Sequence, residues 1–108
     1  MTDLILAIAK RNPEGFTISL PTLTTVHNGV VAAYEATQDS YDKDDLDNVI
    51  AHALQHEKIV GGWYDVELSQ FQFDSCKVFN NLQEAIEFGK AHKQRAIFDL
   101  DNVKEIRL

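Results

Sequence analysis

One segment near the middle of the chain limits the fold more than any other. From Asp44 to Glu57, the residues Leu46, Val49, Ile50, Ala53 and Leu54 fall at i, i+3, i+4, i+7 and i+8, a single apolar stripe on a helix. Asp42, Asp44 and Asp45 cluster at its start, where carboxylates cap free amides and meet the positive end of the helix dipole. A one-striped helix is stable only against a partner, and the segments on either side read as strands.

Phe16 to Leu20 alternates apolar and polar residues with period two, and Pro21 ends it. Val30 to Ala36 reads as a second strand after Asn28-Gly29, a tight-turn dipeptide. Beyond the helix, Gly61-Gly62 closes the connection to a hairpin of Trp63–Leu68 and Phe71–Phe79, turning near Ser69-Gln70. The alternation of the second arm slips at Asp74-Ser75, which predicts a bulge. Asn81 is placed to cap a further helix, Leu82 to His92, with Glu84 at the capping-box position. Arg95 to Leu100 and Val103 to Leu108 read as one or two short strands. A short helix, Asp3 to Lys10, precedes all of these, with Thr2 at its N-cap position and Asn12-Pro13-Glu14-Gly15 as the following turn. The expected fold is α+β: an antiparallel sheet of about five strands, two main helices packed on one face, and a short N-terminal helix.

At 108 residues the chain suits one domain, residues 1–108, with a core that needs no metal or disulfide staple. The lone cysteine, Cys76, cannot form an internal disulfide. No apolar run approaches the roughly 20 residues of a membrane span. The Leu4–Ala9 stretch lacks a basic flank, so no signal peptide is expected and a cytoplasmic location follows.

Charge is unevenly spread. From Glu35 to Glu67 there are nine acids and two bases, a net of −7, which equals the net charge of the whole chain; the remainder is neutral. No basic face is available to neutralise phosphates, so neither nucleic acid nor an anionic membrane is an expected partner. An acidic field favours a protein with a basic surface.

Four constellations invite chemistry. His52 and His56 share i, i+4 spacing, but Ala53 stands where a zinc protease needs Glu, and both imidazoles fall on the flank of the stripe beside Asp45. A structural or solvated role on this wet flank is expected, with no metal and no cofactor. Cys76, in an aromatic strand, reads as core filling more readily than as a nucleophile. Asp99 and Asp101 could share a cation, yet a turn role is the simpler reading. Gly61-Gly62-Trp63-Tyr64-Asp65 is the most distinctive: the glycine pair implies a special φ or a close backbone approach, and the two rings should face opposite sides of a strand, one in the core and one in solvent. The loop that follows Tyr34 and reaches Tyr41 is rich in side-chain donors and acceptors and is a second candidate binding element.

Asn12-Pro13-x-Gly15-Phe16-Thr17, Gly61-Gly62-Trp63-x-Asp65, Phe73-Asp74-Ser75, Glu84-Ala85-Ile86 and Gln94-x-Ala96-Ile97-Phe98-Asp99-Leu100, in this order, resemble a small bacterial domain. That domain occurs alone and within large polyvalent proteins of phages and conjugative elements. It has no established activity, so no residue inherits a catalytic role. The resemblance implies an accessory or host-interaction protein, one that could counter a host defence system.

The favoured reading is a non-enzymatic protein-binding module acting through an acidic face, with Trp63, Tyr64, Asp65, Tyr41, Asp42, Asp44 and Asp45 as its binding residues. One alternative is a small hydrolase or transferase with His52 or His56 as base near the Gly61-Gly62 turn. Another is a structural homodimer paired through a sheet edge. A concave pocket with converging histidine and carboxylate would favour the enzyme. A convex acidic face with an exposed tryptophan would favour the binder.

Overall fold

The computed structural model describes residues 1–108. Alternation and stripe become, in chain order, α1 (Thr2–Arg11), β1 (Phe16–Ser19), β2 (Thr24–Thr25), β3 (Val30–Ala33), α2 (Lys43–Leu54), β4 (Ile59–Asp65), β5 (Gln70–Phe79), α3 (Leu82–Ala91), β6 (Ala96–Asp99) and β7 (Lys104–Arg107). A 3₁₀ turn occupies Glu35–Thr37, where the second strand was expected to continue. All seven strands join one curled antiparallel sheet in the order β2-β1-β4-β5-β3-β6-β7.

Helix starts follow the supply of acceptors. Asp42 accepts from the Asp45 N–H at 2.7 Å while Asp45 accepts from the Asp42 N–H, a capping box at the head of α2. Asn81 accepts from the Glu84 N–H at the head of α3. Thr2 does not cap α1; it is the first helical residue, and its hydroxyl bonds Asp47 on α2 instead.

The strand register shows why the apolar residues fall where they do. Ile18, Val60 and Phe73 lie on one face of the sheet and close against Ile5 and Ala9 of α1 and Leu46, Val49, Ile50 and Ala53 of α2. Val30, Ala32, Phe79 and Ile97 continue that face and close against Ala85 of α3.

Seven strands replace the expected five or so. Two exposed threonines make up β2, too short to leave a periodic signal, and a turn at 100–103 splits the C-terminal segment into β6 and β7. Asn28-Gly29 does not close a hairpin, because β2 and β3 are separated by three other strands; it carries a crossing connection, with Gly29 at φ +98°. No bulge interrupts β5, whose pairing with β4 runs unbroken from Cys76 to Gln70. The alternation slips there because Ser75 and Cys76, on opposite faces, are both buried.

Candidate functional site

Gly61-Gly62 lies inside β4 rather than in a turn, and neither glycine has a positive φ. Close approach explains both. A Cβ on Gly62 would overlap the ring of Phe16 on the helix-covered face. A Cβ on Gly61 would come within 3.1 Å of the Cys76 sulfur on the other face. Each face of the strand is thus cleared for one large neighbour.

Pairing of β4 with β1 ends at Gly62, and pairing of β5 with β3 ends at Cys76, so Trp63 to Gln72 overhangs the rest of the sheet. This explains why neither ring joins the core, contrary to the expected division. Trp63 is 44% exposed and Tyr64 41% exposed, on opposite sides of the strand. Tyr64 meets Phe71 edge-on at 5.8 Å and borders a small apolar groove beside α1. Trp63 faces the side that no helix covers. The hairpin tip carries Val66 and Leu68, both well exposed, alternating with Asp65 and Glu67.

That uncovered side is a trough of about 1250 Å³, formed by the curl of the sheet. Asp39, Asp65, Glu67 and Asp74 border it on the hairpin side, and Arg95 and Arg107 on the β6–β7 side. Six carboxylates and two guanidinium groups line it in all. Asp74 lies on its floor, opposite Gly61 in the register. Burial pushes its carboxyl up to about 7; the Trp63 indole N–H opposes that shift and the Asp39 charge adds to it. Cys76 lies on the same face, 4% exposed, and burial, with the Asp74 charge adding to it, holds its thiol well above the ordinary range. A protonated, buried thiol is a poor nucleophile, in keeping with its role as filling.

The structure places the sequence-derived binding residues in two groups. Trp63, Tyr64, Asp65 and Tyr41 all border the trough, with the Gln72 amide donating to the Tyr41 hydroxyl at 3.2 Å. Asp42, Asp44 and Asp45 instead head α2, where Asp42 and Asp45 are occupied in capping and Asp45 also accepts from the Tyr41 N–H. Asp74 and the two arginines were missed by sequence reasoning, whereas Asp39 belongs to the Tyr34–Tyr41 loop that it offered as a second binding element. Only the slipped alternation at Asp74 hinted that this position is unusual.

The histidines lie on the opposite, helix-covered side. His52 Nδ1 is 2.8 Å from the Ser75 hydroxyl, which is fully buried, and the exposed His56 ring stacks on half-buried His52 at 3.8 Å. The rings of His52, His56 and His92 surround Tyr34 at 5.0, 5.1 and 5.2 Å. Burial, with His56 and His92 nearby, lowers the His52 pKa. Ser75 pairs with Val60, one residue from Gly61, so the sheet itself separates this Ser–His couple from the trough carboxylates. Asp99 anchors the β6–β7 turn by accepting from the backbone of Asp101 and Asn102. No group of three histidine, cysteine, aspartate or glutamate side chains is arranged to hold a metal ion. No helix is long and apolar enough to cross a membrane. No protein-family model, curated protein or solved structure matches the chain.

Proposed function

We propose that the protein is a non-enzymatic binding module that receives a basic segment of a protein partner in the trough, with the β4–β5 hairpin as its lip. The observation that carries this reading is Trp63, 44% exposed on a concave face bordered by an excess of carboxylates. Tryptophan dominates binding hot spots when it sits beside a desolvated pocket. The face is concave where the sequence reading set a convex surface as the mark of a binder. The trough exceeds the roughly 300–1,000 Å³ of a small-molecule pocket, which favours a polypeptide occupant over a metabolite. The enzymatic alternative loses ground because its bases, His52 and His56, lie across the sheet from the carboxylates, and His27, the one histidine lining the trough, forms no hydrogen bond or ion pair with any of them. The motif resemblance to domains of phages and conjugative elements supports an accessory role, in which a small acidic protein occupies the basic groove of a host enzyme.

Capture from a bacterial lysate with the immobilised chain, run beside Trp63→Ala, tests this reading. Loss of a hot-spot tryptophan should weaken a specific complex by about 2 kcal/mol or more, roughly thirtyfold. A retained set that is the same for both chains would remove the trough from the function.

A further inference from the structure

We infer that the trough recognises an arginine side chain presented by an extended segment of the partner, its guanidinium laid on the Trp63 indole and paired with the Asp74 carboxylate. This rests on the binding-module reading and names the chemistry the site selects. Asp74 and Trp63 project from adjacent strands onto the same face, and the half-exposed indole has no aromatic ring of the chain packed on it. Opposite Asp74 stands Gly61, which adds no side chain of its own to the floor, where the Cys76 sulfur already lies against it. Val31, Ala33 and Cys76 give that floor an apolar surface for an alkyl stem.

A charge seated this deep must reach the floor on a long stem and lose water at little cost. Guanidinium is weakly hydrated, stacks on aromatic faces and meets a carboxylate through two parallel hydrogen bonds, whereas an ammonium is strongly hydrated and offers a point charge. The excess of carboxylates around Asp74 is complementary to a cation. An extended segment matches a groove walled by strands, because its alternate side chains point down into the floor.

Trp63 is the only tryptophan of the chain, so its fluorescence reports occupancy directly. The probes are blocked eight-residue peptides alternating threonine with arginine, with lysine, or with citrulline, the uncharged isostere. The arginine peptide should change the Trp63 emission saturably, the lysine peptide should bind more weakly, and the citrulline peptide should bind about tenfold or more weakly. Asp74→Asn should cost the arginine peptide about tenfold, while Glu87→Gln, on the exposed side of α3, should cost nothing. Affinity should also rise between pH 6 and pH 8 as Asp74 ionises, and this dependence should vanish in Asp74→Asn. The other titratable and charged groups lining the trough are Glu14, His27, Asp39, Tyr41, Tyr64, Asp65, Glu67, Cys76, Arg95, Glu105 and Arg107, so His27→Ala must keep the profile. Equal binding of the lysine or citrulline peptides, or an unchanged affinity in Asp74→Asn, would overturn the inference. If the peptides fail while lysate capture still depends on Trp63, the arginine site falls and the binding module stands.

Discussion

Asp74 is a carboxylate placed where its ionised form is disfavoured, and that has a signed consequence for stability. In an unfolded chain an aspartate titrates near 3.9, whereas Asp74 in the fold titrates at about 7. Between those values the unfolded state has lost the proton and the folded state has kept it. The unfolded state therefore binds fewer protons, and stability falls as pH rises from about 4 to 7. The penalty, with an upper bound on the order of 4 kcal/mol, is fully present above pH 7. Asp74→Asn should accordingly be more stable than the native chain at pH 8 and lose that advantage at pH 4. Urea denaturation of both chains at the two pH values measures this; an advantage independent of pH would contradict it. The native aspartate is thus a local cost, a pattern expected where a residue serves binding more than folding.

At the scale of elements, the aspartates preceding and opening α2 divide by geometry rather than by charge. Asp42 accepts a backbone N–H as N-cap, whereas Asp44, in the first helical turn, makes no capping bond. Asp42→Ala should lower stability by about 1 kcal/mol, roughly 4–8 °C in Tm for a domain of this size. Asp44→Ala removes only its favourable position near the helix dipole and should cost a few tenths of a kcal/mol. Paired thermal melts distinguish the two, and equal losses would mean that net charge, not capping, stabilises the helix start. The stripe, the cap and the extent of α2 were legible in the sequence because they are local. The partner of His52 was not: its flank position predicted solvent, but Ser75 arrives from 23 residues away and removes the ring from it. In the same way the alternation of β5 slips because Ser75 is buried under the helices on one face while Cys76 is buried within the curl of the sheet on the other.

For the whole molecule, the segregation of charge read from the sequence survives folding as an acidic hairpin side facing two arginines across the trough. The net charge of −7 opposes the approach of a polyanion. Duplex DNA should therefore show no mobility shift with low-micromolar protein at physiological salt. A shifted band that weakens as salt is added would show that local cationic groups outweigh the net charge of −7.

Period and capping chemistry determined, from the sequence alone, that this chain makes two striped helices, a short N-terminal one and a set of mainly antiparallel strands. They also determined that its acidity is concentrated between Glu35 and Glu67. Only the tertiary structure decided the strand order, the curl of the sheet and the overhang of the hairpin, and these bring Trp63, Asp39, Asp74 and Arg107 around one trough. The physical reason is that period-two alternation shows that a strand has two faces. It does not specify which distant strand will lie beside it, and it leaves open whether a helix will cover the second face. Gly61 and Gly62 illustrate the limit: as a pair of glycines they signalled a close approach, but the atoms that approach, the Cys76 sulfur and the Phe16 ring, come from β5 and β1, and only the assembled sheet brings them there.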